Sequence, residues 1–398
     1  MKPTPRQFDV IVLGAGAAGL MCAAVASQRG RRVAVVDHNA QPGRKILISG
    51  GGRCNFTNLH AGPSNYLSEN KHFAKSSLAL YQPRHFIEMV DRYRIPWHEK
   101  TQGQLFCDGS AQAILDMLLA ECVPGAVELI LDTRVLAVDG SAGGEFRIET
   151  SKGELAASAL VVATGGLSIP KLGASGFGYD LARQFGLKIV EPRPALVPLL
   201  LGGQEAAWTN LAGVAAEVIA EVGRAKERVR FREKMLVTHR GLSGPAILQI
   251  SSYWRSGEEL RLDFAPESKT NLLQALLESG ARRDETALKQ ALREILPQRL
   301  VNFLAENGEP PGWSNPALAA RERQLRRWTL RPTGTEGFAK AEVTAGGVDT
   351  ADLQARTLEA RAVPGLFFIG EVVDVTGQLG GFNFQWAWAS GVAAGRAV

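Results

Sequence analysis

Residues F-D-V-I-V-L-G-A-G-A-A-G-L-M-C-A-A (8–24), followed by R-V-A-V-V-D (32–37), decide the fold. Phe8–Leu13 reads as a short buried strand, Ala17–Gln28 as a helix of small residues ending at Gly30, and Arg32–Val36 as a second apolar strand. Gly14, Ala15, Gly16, Ala17, Ala18 and Gly19 fill a GxGxxG pattern at the strand-to-helix turn. The first glycine permits the tight turn, the second lets backbone approach a pyrophosphate, and the third lets helix and strand pack closely. The helix N-terminus adds unpaired N–H donors and partial positive charge. Asp37, with His38 beside it, closes the second strand where a carboxylate bonds ribose hydroxyls. The pattern alone is weak; with strand, helix and acid in place it predicts a βαβ dinucleotide-binding unit.

Working outward, 398 residues exceed what one hydrophobic core sustains, so two or three domains are expected. The 45% hydrophobic and 21% charged composition is that of an ordinary globular protein. The net charge of +5 permits an anionic ligand, but lysine and arginine are scattered rather than gathered in a nucleic-acid arm. Four cysteines, Cys22, Cys54, Cys107 and Cys122, form no CxxC pair and no zinc spacing, so no metal is expected. The apolar N-terminal stretch resembles a signal peptide superficially, yet Asp9 and the three glycines interrupt it as nucleotide binding requires. No apolar run is long enough for a membrane span, and a cytoplasmic protein is expected.

Further along, Asp108–Cys122 reads as an amphipathic helix. Val127 to Thr150 reads as a strand meander broken at Asp139-Gly140 and Gly143-Gly144. Leu160–Ala163 is a buried strand running into Thr164, Gly165 and Gly166. After Pro192-Arg193-Pro194 the strands Val214–Val222, Val229–Thr238 and Glu259–Phe264 predict a β-rich segment, and Lys269–Arg327 turns helical with a break at Pro310-Pro311-Gly312. Strands return at Ala341–Thr344 and Leu366–Ile369, with a last helix from about Asn383. The expected layout is α/β: a Rossmann-like domain from 1–192 and 341–398, a β-rich insert from 193–267 and 328–340, and a helical domain from 268–327.

The fingerprint does not choose between NAD and FAD, since both carry an ADP half. Two later stretches favour FAD. Gly43, Arg44 and Lys45 lead into a loop with Ser49, Gly50, Gly51, Gly52, Arg53, Cys54 and Asn55, whose bare backbone suits a flat polar ring or a phosphate. Near the C-terminus, a buried strand ends at Gly370 and Glu371, with Asp374 following, and Gly380, Gly381, Phe382 and Asn383 open a helix of small residues. Its first turn is suited to face a flavin's pyrimidine edge, where negative charge gathers on reduction, and a Cβ at 380 or 381 is expected to push it off the ring.

The stretches GRKILISGGGRCNFTN (43–58), ATGGLSIPKLG (163–173), PALVPL (194–199), THRGLSGPAIL (238–248), EVTAGGV (342–348) and GLFFIGEVVDVTGQLGGFNFQWAWASG (365–391) resemble the bacterial BaiN/RdsA-type NAD(P)/FAD-dependent oxidoreductases, a family that includes an L-aminoacetone oxidase. The resemblance covers essentially the whole chain. It implies a glutathione-reductase-like FAD domain made from both ends of the chain, with a β-barrel-like insert and a small helical domain between. It also implies that Glu371 bonds the flavin ribityl chain and that Val135 offers its backbone to the adenine. This chain has Asp37 where the family often has Glu, and Arg240 where it often has Phe, which suggests a more anionic substrate.

Cys54 lacks a CxxC partner and reads as a small packing residue; Trp386 and Trp388 read as core. Gly173–Gly178 lacks a βαβ context and is not read as an NAD(P) site. The leading expectation is a flavoenzyme passing a hydride between FAD and a small organic substrate, with NAD(P)H or oxygen as the other partner. An amine oxidase of the L-aminoacetone oxidase type is one alternative. A flavin-dependent RNA-modifying protein is another, suggested by the pI and the basic helical segment Arg282–Arg331; ten basic against six acidic residues there suit a solvated surface more than an RNA groove, so nucleic acid is not the expected partner.

Overall fold

In β1 (Arg6–Leu13) the residues Val10 to Leu13 are buried, because this strand lies in the middle of a sheet covered on both faces. The computed structural model describes residues 4–125, 127–140, 144–224, 227–266, 272–278, 280–307 and 312–398. The chain divides into two units, one of residues 1–193 with 343–398 and one of residues 194–342.

In the first unit β1 leads into α1 (Ala17–Gln28) and β2 (Val33–Val36), and β2 runs parallel to β1 with Val10 opposite Val33. β3 (Glu128–Ile130) lies parallel on the outer side of β2. β4 (Val135–Asp139), β5 (Phe146–Thr150) and β6 (Gly153–Val162) form an antiparallel meander. The ten-residue β6 uses its length twice. Residues 153–157 pair with β5, while Leu160–Val162 pair with β7 (Leu366–Phe368), and β6 runs parallel to both β1 and β7. The last helix, α2 (Phe382–Ala397), packs on α1 through small residues. A Cβ on Gly391 would lie 2.7 Å from the Ala18 carbonyl oxygen, and one on Gly395 would lie 2.8 Å from that of Cys22, so the close approach requires glycine on one side.

Four expectations change. β3 does not belong to the meander; its partner is β2, a long-range choice that local alternation cannot reveal. The helix expected from Asp108 begins at Gln112, where the Ser110 hydroxyl accepts the Gln112 N–H. The strand expected at Ala341–Thr344 is Val343–Val348, because it runs on through two glycines. The strand from Leu160 begins seven residues earlier, at Gly153. Gly143, Lys269 and the Pro310-Pro311 break lie outside the described residues.

The second unit holds a seven-stranded sheet in which Ala215–Val222 pairs with both Val229–Val237 and Leu260–Asp263, and the latter pairs with Trp328–Leu330. Its inward residues Val218, Ala220, Met235 and Leu262 share one core with Leu288, Leu292, Leu300 and Leu304 of the helical segment. Among the described residues no helix is long and apolar enough to cross a membrane.

Candidate functional site

Four parallel strands end at one edge of the first unit's sheet, and each releases a stretch singled out in the sequence. β1 leads to Gly14–Gly19, β2 to Asp37, β6 to Thr164-Gly165-Gly166, and β7 to Gly370-Glu371. Backbone bonds tie these ends together: Gly14 N–H to Val36 O (2.8 Å), Ala163 N–H to Leu13 O (2.8 Å) and Ile369 N–H to Val162 O (3.0 Å). The carboxyl edge of such a sheet is where ligands bind, because helix N-termini and loop N–H groups converge there.

The fingerprint glycines divide by what surrounds them. A Cβ on Gly14 (φ +113°) would stand 2.4 Å from Ala163 O, and one on Gly19 would stand 1.9 Å from Gly14 O. Those two glycines serve the protein's own packing. Gly16, the N-cap of α1, has an ordinary φ of −87°, and a Cβ there would meet no protein atom within 4 Å. Gly51 and Gly165 also face open space. The second glycine therefore leaves room for something that is not protein, which is what a pyrophosphate needs.

Asp37 is turned toward this turn. Its Oδ2 accepts the Ala15 N–H (2.8 Å) and its Oδ1 accepts both the backbone N–H and the side-chain amide of Asn39 (2.8 and 3.0 Å). The short acid thus braces the fingerprint, and a carboxylate retains acceptor capacity for a ribose hydroxyl beyond these bonds. His38 is half exposed, 3.7 Å from Asp37. Gly43 donates to Ala15 O (2.9 Å), and Arg44 bonds Asn39 Oδ1 (2.7 Å) and Leu172 O (3.1 Å).

Glu371 is the centre of a second cluster. Its Oε2 accepts from Lys45 Nζ (2.6 Å), and its Oε1 accepts from the Ser168 hydroxyl (2.8 Å) and the Thr344 N–H (2.9 Å). Lys45 also donates to Ser168 (2.7 Å). Gly166 makes room, since its Cβ would lie 2.4 Å from Thr344 Oγ1 and 2.9 Å from Glu371 Oε1. Ser168 and Thr344 were not singled out from sequence; they lie in two of the stretches that carry the family resemblance, ATGGLSIPKLG and EVTAGGV, and that is the only signal they gave.

The glycine loop winds tightly. Gly50, Gly51 and Gly52 all take positive φ, and Cys54 does so at +49°, an unusual conformation for a residue with a side chain. Ser49 Oγ bonds Ile46 O (2.7 Å), and the Cys54 N–H bonds Ser49 O (3.1 Å). The Cys54 side chain is buried, and desolvation pushes its thiol up to about 12, so it is held protonated. The Arg53 carbonyl accepts from Cys107 N–H (3.0 Å).

The glycines before α2 need a correction. A Cβ on Gly381 would lie 2.4 Å from Thr57 O, and one on Gly380 would lie 2.9 Å from the Gln104 side chain. Their neighbours are protein strands, and close chain packing rather than clearance for a ring explains them. Asn55, turned so that its oxygen accepts the Gly381 N–H (3.3 Å) and its nitrogen donates to Thr57 O and Leu105 O (3.2 Å each), joins the glycine loop to this helix start. Asn383 brackets the preceding turn by accepting from Gly377 N–H (2.8 Å) and donating to Gly377 O (2.9 Å). The first-turn N–H groups from Phe382 onward have no helical carbonyl to reach.

Asp374 faces elsewhere: its buried carboxylate accepts from Glu69 N–H (2.8 Å) and lies 3.4 Å from Ser68 Oγ. Val135 stands at the start of β4 opposite Thr150, and Thr164 Oγ1 is buried with no hydrogen-bond partner. Trp386 and Trp388 are core residues, donating to Gly370 O and Phe56 O. Among the described residues no group of three or more His, Cys, Asp or Glu side chains is placed to hold a metal ion.

The HI0933-like protein Rossmann domain matches residues 8–397. The chain belongs to this family. It is 49% identical over 396 residues to the ribosomal RNA dihydrouridine synthase of Escherichia coli (strain K12), with 98% of each chain covered. It is 42% identical to the protein of the same name from Haemophilus influenzae, again over 98% of each chain. To the 3-dehydro-bile acid delta(4,6)-reductase of Clostridium scindens it is 32% identical, over 97% of this chain and 98% of that one. The family carries a flavin-type Rossmann fold, and the chain is an oxidoreductase. The expectation that nucleic acid is no partner finds no support here, since two of these relatives are named for a reaction on RNA.

Proposed function

We propose that this protein is an FAD-dependent reductase that converts a uridine of ribosomal RNA to dihydrouridine, with NAD(P)H as the source of reducing equivalents. What carries the reading is the near-complete coverage at 49% identity with an enzyme of that name. The fitted cradle supports the cofactor: Gly16 leaves open space at the N-cap of α1, and Asp37 and Glu371 follow the ends of β2 and β7, two strands of the same parallel sheet with β1 and β6 between them.

FAD held there supplies hydride chemistry, which the product requires. Uridine gains a hydride at C6 and a proton at C5, NAD(P)H is oxidised to NAD(P)+, and solvent provides the proton. The chain's share is positioning. The Gly14–Gly19 turn and the α1 N-terminus hold the pyrophosphate, Asp37 the adenosine ribose, and Glu371, fixed by Lys45, Ser168 and Thr344, the ribityl chain. The N–H groups at the start of α2 would stabilise negative charge on a pyrimidine edge placed before them by roughly 0.3–2 kcal/mol. Arg240, read as a sign of an anionic small substrate, is paired with Glu336 at 3.0 Å, which takes up that charge.

The test uses ribosomal RNA from cells lacking the homologous enzyme, incubated with the purified protein and NADPH or NADH. Nucleoside mass spectrometry is expected to show dihydrouridine only with both protein and reductant. RNA left unchanged, while a conjugated steroid ketone is reduced, would move the assignment to a small-molecule reductase.

A further inference from the structure

The second unit carries a concentration of arginine that the cofactor site does not use. Strands Ala215–Val222 and Val229–Val237 pair with Glu221 opposite Arg230, Ile219 opposite Arg232 and Glu217 opposite Lys234. Alternation along the second strand places Arg230, Arg232 and Lys234 on one exposed face, while Met235 and Val237 go to the core. The neighbouring strand Leu260–Asp263 sets Arg261 opposite Glu221, and Arg326 and Arg327 precede the strand beyond it. Of these, Arg230, Arg261, Arg326 and Arg327, with Arg228, line a cleft of about 180 Å³, against Glu221 and Asp263.

Arg326 is paired with Glu322 at 2.7 Å and Arg232 with Glu217 at 2.8 Å, yet the cleft keeps an excess of positive charge. Glu221 is shared by three guanidinium groups, Arg261 at 2.9 Å, Arg230 at 3.3 Å and Arg228 at 3.4 Å. Asp263, which accepts the Ala265 N–H at 2.8 Å, offsets one further charge and leaves the arginines in excess. Arg261 is buried and fixed, whereas Arg228 and Arg230 keep about half their side chains in solvent, at 45% and 61% exposure. An adjoining cleft marks the limit of the charge: its Arg224, Arg261 and Arg331 are balanced by Glu227, Glu258 and Glu259. Side chains two apart on a strand stand roughly 6.6–6.8 Å apart. That repeat is comparable with successive phosphodiesters of an extended strand, and guanidinium forks match phosphate oxygens in pairs.

We infer that this arginine-lined sheet face is a phosphodiester-binding surface that docks the RNA substrate through its backbone, an inference that rests on the RNA reading above. It gives affinity without sequence choice, because phosphate contacts carry no base information. The Arg282–Arg331 segment noted in the sequence enters it only through its final turn, at Arg326 and Arg327.

The test compares the wild-type protein, a triple variant R228Q/R230Q/R327Q, and a control R147Q/R183Q/R356Q that removes equal charge from the other unit. Binding of deproteinised ribosomal RNA and of polyuridylate is measured across salt concentrations, with FAD content as the check on folding. Single strands release counterions with a slope of about 0.7 per neutralised phosphate, so the triple variant should lose roughly 2 units of slope and about 10–100-fold in affinity. The control should retain the wild-type slope. Wild-type-like RNA binding by the triple variant overturns this surface while leaving the RNA reading intact. Wild-type protein that neither binds nor reduces ribosomal RNA overturns both. Capture by anionic phosphatidylglycerol vesicles without RNA binding likewise overturns the inference in favour of a lipid surface.

Discussion

Lys45 Nζ lies 2.6 Å from Glu371 Oε2, joining the glycine-rich loop to the end of the last parallel strand across 326 residues of sequence. The pair is partly buried, and Ser168 bonds both members. A shared hydroxyl makes the three a unit, so their contributions should not add. The single variants K45M and E371Q and their double should show a coupling of roughly 0.5–3 kcal/mol in FAD binding. Additive losses in titrations of the apo-protein would mean that the ion pair does not shape the cofactor site.

Asp37 has two tasks in this geometry, and one substitution should reveal both. Asp37→Ala removes the acceptor for the Ala15 N–H and for Asn39. Hydrogen bonds to a charged group contribute about 1.5–3 kcal/mol, so FAD affinity should fall roughly ten- to a hundredfold. Denaturant unfolding of the apo-protein should also show reduced stability. A variant with weakened FAD binding and wild-type apo stability would assign Asp37 to the ribose alone.

All four cysteines are buried, and burial pushes the thiols of Cys22, Cys54 and Cys122 up to about 12 and that of Cys107 to about 11. The thiolate is the reactive species. At pH 8 the native protein should react with a thiol reagent slowly and all four cysteines should react together on unfolding. Fast labelling of Cys54 in the folded protein would reopen a redox role for it.

Asp374 sets a pH dependence with a definite sign. Burial raises its carboxyl above the ordinary value. An acid whose folded pKa is raised stabilises the fold below its unfolded pKa, and that contribution is lost as pH rises through the folded value. Asp374→Asn keeps an acceptor for the Glu69 N–H without the buried charge. The variant should therefore gain on wild type at neutral pH, and the gain should shrink as pH falls. Denaturant midpoints from pH 7 down to pH 4 measure it; a gap that widens on acidification would contradict the burial argument.

Legibility followed the range of the interactions involved. The βαβ unit was readable because its glycines, apolar strands and closing acid act within thirty residues, where steric rules are local. Glu371 could be placed by resemblance, but Ser168 and Thr344 meet it only through pairings 203 and 27 residues apart. Nothing in a hydroxyl's sequence neighbourhood marks such a partner. The same holds for β3, whose short run Glu128–Ile130 lies next to the meander in sequence yet pairs with β2. At Gly381 the need for glycine was legible and the neighbour was not: a Cβ there would meet the carbonyl of Thr57, 324 positions earlier.

The fingerprint itself offers the sharpest separation of packing from binding, in two glycines three residues apart. Gly19 is hemmed in: a Cβ there would stand 1.9 Å from Gly14 O and 3.3 Å from Ala163 Cβ, and the nearest obstacle is backbone that cannot rotate aside. Gly19→Ala should strain β1 against α1 and cost about 1–3 kcal/mol of stability, with or without cofactor. Gly16 meets no protein atom within 4 Å, and its φ of −87° suits any residue. Gly16→Ala should leave the apo-protein's denaturation midpoint near wild type, apart from a few tenths of a kcal/mol for the poorer N-cap. Its methyl occupies the space where backbone and pyrophosphate would meet, so FAD affinity should fall at least tenfold. Apo-protein melting and FAD titration on the two variants read the two effects separately. If Gly16→Ala binds FAD as tightly as wild type, the open space before α1 does not hold the cofactor's phosphates.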